Sequence, residues 1–153
     1  MDRGTLLLAT ILSVPLASLA GEPGGRAAYV GGTLGNIPNN SSGSIQAIDE
    51  QYFVFYSKGA SVRVPYDQIA AIEYGQKVDR RYAMAVLISP VFVLSKKRVH
   101  FLTVVYSDEK GREQAMIFKV DKSDIRAMLV CLEARTGRKV QFQDEEARKA
   151  GKG

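Results

Sequence analysis

Cysteine, histidine and tryptophan are nearly missing from this chain of 153 residues, which has one Cys, one His and no Trp. A single cysteine, Cys131, excludes an internal disulfide, so the fold must hold by packing. With His100 the only histidine, a metal centre built on paired imidazoles is excluded, and one thiol makes no thiolate cluster, so no metal is expected. The same scarcity leaves little for catalysis. A Ser-His-Asp arrangement would need His100, which stands between Val99 and Phe101 in a strand-like run and suits a sheet-face histidine. The glycines of "GGTLG" (31–35) follow a strand but lack the lysine and the helix of a phosphate loop. Gly31 and Gly32 therefore read as residues for a bend or a close backbone approach. No catalytic residue and no cofactor is expected.

Long apolar runs are also lacking. A membrane-spanning helix needs about 20 apolar residues, and two shorter runs stand out instead. The first, Leu6 to Leu19, follows Arg3 and ends in Ser18-Leu19-Ala20, with small residues where a signal peptidase requires them. Residues 1–20 are predicted to be a signal peptide cleaved near Ala20, which directs the chain to the periplasm or cell envelope. Its removal takes one Arg and one Asp, so the formal charge of +5 is unchanged. That balance suits an anionic membrane surface, and export argues against nucleic acid as partner. The second run is "AMAVLISPVFVLSKKR" (83–98), broken by Ser89-Pro90 and closed by three cations.

Between these runs the sequence punctuates into short strands. Seven are predicted: 27–34, 44–49, 51–58, 60–66, 70–77, 98–107 and 112–120, with turns at the Gly-, Asn- and Ser-rich stretch 35–43, at Gly59 and at "DEKG" (108–111). Pro65 should end the fourth, because proline cannot donate to a ladder. One helix is expected over Lys122 to Thr136. Asp121 is its N-cap with Asp124 three residues on, Ile125, Met128, Leu129 and Leu132 share one face, and Gly137 closes it. "KVQF" (139–142) is a possible short extra strand, and 143–153 reads as a charged, frayed tail. The domain plan is then a linker over 21–26, one domain over 27–142 and the tail.

Seven antiparallel strands followed by one amphipathic helix is the element order of a pleckstrin-homology-like (PH-like) barrel or sandwich capped by its helix. "YVGGTLGNIPNNSSGSI", "VRVPYDQIAAIEYG", "KKRVHFLTVVY" and "LEARTGRKV" together resemble a group of exported bacterial proteins whose pattern is similar to PH-like and GRAM-like domains. The resemblance covers most of residues 28–142. It implies a mainly β fold, and in the wider superfold a basic lip between early strands that binds lipid headgroups, or a surface that binds peptides. This chain departs from that pattern, since residues 35–43 hold no Lys or Arg.

Segment 83–98 carries the functional expectation. Val91, Phe92, Val93 and Leu94 form an apolar tip, and Arg80, Arg81, Lys96, Lys97 and Arg98 a basic collar, which is how a surface loop docks on anionic lipid. Each cation offers about 1 kcal/mol at such a surface, against roughly 1.5–3 kcal/mol for each apolar side chain fully removed from water. The predicted role is thus a non-catalytic binding module touching a membrane or an envelope protein through 83–98. The alternative places the apolar run in the core and uses a barrel edge to add a partner strand. An enzyme would require His100, Tyr66 or a carboxylate in a perturbing pocket; Tyr66 in "VPYDQI" and Glu73 read first as packing residues.

Overall fold

A computed structural model describes residues 24–78, 80–83 and 99–152. The predicted signal peptide, and with it Val91, Phe92, Val93, Leu94, Lys96, Lys97 and Arg98, lies outside the described residues. The described chain forms β1 (Gly24–Gly32), β2 (Ser41–Gln46), β3 (Tyr52–Ser57), β4 (Ala60–Pro65), a single 3-10 turn (Tyr66–Gln68), β5 (Ile69–Gly75) and a short helix α1 (Arg80–Ala83). It continues with β6 (His100–Ser107), β7 (Glu113–Val120), α2 (Lys122–Thr136), β8 (Val140–Phe142) and α3 (Glu145–Lys152).

The strands make one sheet in the order β4-β3-β2-β1-β7-β6-β5-β8. Its inner face gathers Tyr29, Ile45, Phe53, Phe55, Ile72, Tyr74, Leu102, Met116 and Phe118, all fully buried, and α2 lays Ile125, Met128, Leu129 and Leu132 onto them. Removing those four side chains from water is worth roughly 1.5–3 kcal/mol each, comparable in sum to the net stability of a domain. The predicted helix matches residue for residue, and Gly137 closes it at φ 67° with its N–H donating to the Glu133 carbonyl at 3.0 Å. Asp121 precedes the helix as expected, but its side chain makes no capping bond.

Gly32 earns its place by close approach. A Cβ there would run into the Ala115 carbonyl, and its φ of 151° is one that L residues rarely adopt. A bulge between Tyr29 and Gly31 precedes it, with Val30 on the face opposite Tyr29.

Four expectations need correction. Among the described residues there are eight strands rather than seven, and the sheet they form is mixed and not closed, so it is not an antiparallel barrel. The added strand β8 runs parallel to β5, pairing Ile72 with Val140 and Tyr74 with Phe142. A parallel neighbour needs a crossover connection, and α2 supplies it between β7 and β8. Residues 24–26, predicted as linker, already pair with Gln46, Ile45 and Ser44 of β2. The tail is a helix, not a frayed end. The Asp144 carboxylate accepts the Ala147 N–H at 2.6 Å, the acidic Glu145 and Glu146 open the helix, and Ala147, Ala150 and Gly151 form a buried face. Gly151 sits against the Phe142 ring and Leu129, a fit that small residues alone allow.

Candidate functional site

β5 and β6 are hydrogen-bonded antiparallel neighbours whose register carries Gly75 opposite Phe101. Such a pair is ordinarily closed by a hairpin of about 2–5 residues. Here residues 76–99 make the connection, so the register needs almost none of them. In sequence the predicted contact segment, 83–98, falls within this connection, and residues 84–98 lie outside the described ones.

The described part of the excursion rests on the outer face of the sheet. There Val30, Phe101, Val105, Ala115 and Ile117 form a second apolar cluster with Tyr82 of α1, and Val78 and Val99 pack against it. Both feet of the excursion therefore stand on one surface. Two polar bonds fasten α1. The Arg81 guanidinium donates to Glu73 Oε1 at 3.3 Å, and the Tyr82 hydroxyl donates to Glu113 Oε1 at 2.9 Å. Burial, reinforced by that bond to Glu113, pushes the Tyr82 hydroxyl up to about 12. Glu73 is only 4% exposed while Arg81 is 63% exposed, so the pair joins a carboxylate set into the sheet to a guanidinium at the surface. Of the predicted basic collar, Arg81 is thus directed partly inward; Arg80 lies in α1, and Lys77 is exposed at the same foot.

The other residues singled out from sequence fall elsewhere. His100 is buried at the start of β6, stacked on Tyr74 with ring centroids 5.6 Å apart and hydrogen-bonded through Nδ1 to the Tyr74 hydroxyl at 3.0 Å. Tyr66 is buried on the 3-10 turn, its hydroxyl donating to the Asp49 carbonyl at 3.2 Å, and burial pushes it up to about 12. A surface cleft of about 510 Å³ opens beside it between Glu50, Asp67 and Arg135. Glu50, Asp67 and Arg135 are exposed there. Gly31 ends the bulge of β1, and Gly32 lies against the Ala115 carbonyl. Among the described residues no cluster of His, Cys, Asp and Glu is placed to hold a metal ion, and no helix is long and apolar enough to cross a membrane.

Sequence reasoning missed the outer cluster and its two clamps. The signal available was Glu73, an acid inside the apolar run "AAIEYG", which marked the outer side of β5 as something other than plain solvent-facing surface. Comparison with protein-family models finds none that matches the chain, and comparison with curated proteins finds no match either.

Proposed function

We propose that the chain is a non-catalytic, PH-like binding module of the bacterial cell envelope, and that it contacts an anionic membrane surface through the excursion between β5 and β6, centred on residues 83–98. The observation that carries this reading is the pairing of Gly75 with Phe101, which makes the excursion dispensable for joining its two strands. A long connection that the topology does not require is usually kept for a function of its own. The order β4-β3-β2-β1-β7-β6-β5, with a long helix across the inner face, supports the PH-like part of the reading. The composition of the segment supports the membrane part, since Val91–Leu94 offer insertion and the flanking cations offer electrostatic attraction.

Flotation of the protein lacking residues 1–20 with phosphatidylglycerol vesicles tests it. Binding is expected to survive moderate salt, because insertion outweighs the screened charge term, and to be lost in Phe92→Asp. No flotation of the unsubstituted protein, or undiminished flotation of Phe92→Asp, would reject the membrane role.

A second reading has its own observation. The two edges of the sheet differ: β8 is three residues long and packs with α3, whereas β4 offers six residues whose only strand neighbour among the described residues is β3. An open edge of that length is where an envelope protein would add a strand. Proline at Ser61 or at Val62, one of which directs its N–H outward, should then abolish partner capture while vesicle binding is unaffected.

A further inference from the structure

We propose that the chain pairs with a second copy of itself through β4, in an antiparallel register that sets Ser61 against Arg63 of the second copy and joins the two sheets into one. The pairing rests on the open-edge reading of β4 and needs no membrane contact.

The direction of the backbone donors fixes what the edge can offer. The Tyr66 N–H donates to the Gln51 carbonyl at 3.0 Å, inward across the β3–β4 hairpin. Backbone direction alternates along a strand, so Ala60, Val62 and Val64 also bond toward β3, while Ser61, Arg63 and Pro65 face away from it. Pro65 has no N–H to give, and an outward position on an edge strand is where a sheet tolerates proline. Among the described residues the edge thus presents two outward N–H donors, those of Ser61 and Arg63.

Only one two-fold register uses both. Antiparallel strands exchange their bonds in pairs, and a symmetric dimer must read the same from either copy. Pairing Ser61 with Ser61 of the second copy carries Arg63 to Gly59, beyond the strand and into the turn at φ 83°. Pairing Arg63 with Arg63 sets two cations face to face and leaves Ser61 against Pro65, where a donor is missing. Pairing Ser61 with Arg63 forms four bonds, uses every donor and keeps the like charges apart. Arg63 and Pro65 therefore blunt the edge toward other registers and leave this one open.

The side chains agree with that register. On the inner side Val64 is buried in the main core, Val62 packs against it, and Ala60 is partly buried in the same row. Across the axis Val62 meets Val62 and Ala60 meets Val64, so an apolar row continues from one core to the other. On the outer side Ser61 stands between Tyr56 of its own β3 and Arg63 of the second copy. Its small side chain gives that guanidinium a path to the Tyr56 ring, which is 38% exposed.

Sedimentation of the protein lacking residues 1–20 over a rising concentration range tests the pairing, and oxidative cross-linking tests the register. The parent should pass from monomer to dimer. Ser61→Pro removes two of the four bonds and none to β3, so it should raise the dissociation constant at least about tenfold, with a melt in dilute solution that matches the parent's. In a Cys131→Ser background, Val62→Cys should link into a covalent dimer, because the two copies of that position face each other directly. Ser61→Cys should link far less although Ser61 is the more exposed, since its two copies would lie about 8 Å apart between Cα atoms. The cysteine pair decides alone if the proline variant fails to fold. A chain that stays monomeric throughout would overturn the dimer, and so would equal linking at 61 and 62. Strand addition by an envelope protein to a monomeric chain, lost in Ser61→Pro, would overturn the second copy as occupant and leave the open edge standing. A dimer and a partner capture both indifferent to Ser61→Pro would reject the edge reading itself.

Discussion

The two faces of the sheet are both apolar, yet they are built differently. The inner face is aromatic and continuous: Phe118 packs against Phe55 with ring centroids 4.9 Å apart and against Phe53 and Tyr29 at 6.0 Å, and α2 covers them. The outer face is smaller and mixed, with Thr103 and Glu73 buried among Val105, Ile117 and Phe101, and among the described residues only α1, Val78 and Val99 reach across it. β6 belongs to both, which is why it is buried almost end to end, while β4 at the edge is buried on one side only. A face closed by packing alone makes a stable core. A face closed partly by hydrogen bonds to α1 places that short helix, and its stability is local.

The largest effect expected from this contrast is at Leu132. Leu132→Ala empties space between α2 and the aromatic inner face and should cost about 2–5 kcal/mol in urea unfolding. Next comes the rim shared by both faces, where Gly32→Val would drive a Cβ into the Ala115 carbonyl and should cost about 1–3 kcal/mol. Tyr82→Phe removes one hydrogen bond from the outer face, so it should cost only about 0.5–1.5 kcal/mol globally. Hydrogen exchange should quicken at α1 and Val99 but not in α2. A loss at Tyr82 as large as that at Leu132 would erase the distinction between the faces.

The smallest effect concerns the hairpin that joins β6 and β7 and so serves both faces. Asp108 accepts from the Arg112 and Lys110 backbone N–H groups, each at 2.9 Å, and from the Arg112 guanidinium. The Arg112 backbone bond foremost, helped by that guanidinium and by Lys110, holds its carboxyl below the usual range. A carboxyl lowered in the folded state stabilises above its unfolded value and loses that contribution as pH falls through the folded one. Asp108→Asn should therefore melt slightly below the parent at neutral pH, with the gap closing in acid; a pH-independent gap would contradict the hydrogen-bonding role.

How far the sequence could be read follows the same division. α2 was legible to the residue because a 3.6-residue period, an acidic start and a terminal glycine all mark the same boundaries. The hairpins were legible from Gly59 and from Asp108–Gly111, since turns advertise themselves locally. β8 was legible only as a possibility, because three residues show no period, and its parallel pairing with β5 is a long-range fact. α3 was lost because its buried face consists of Ala147, Ala150 and Gly151, too small to register as apolar against the five charged residues of the same helix. At the candidate site the apolar and basic composition of 83–98 was visible, but the ladder that makes the excursion unnecessary for the sheet was not. Nor were the clamps at Glu73 and Glu113, since each joins residues from separate elements.

The most direct measurement is flotation on phosphatidylglycerol vesicles of a variant in which Val91, Phe92, Val93 and Leu94 are all replaced by serine, with its melting curve recorded alongside. A tip that serves the membrane should leave the melt in place and abolish flotation. Flotation equal to that of the parent, or loss of the cooperative melt, would contradict it.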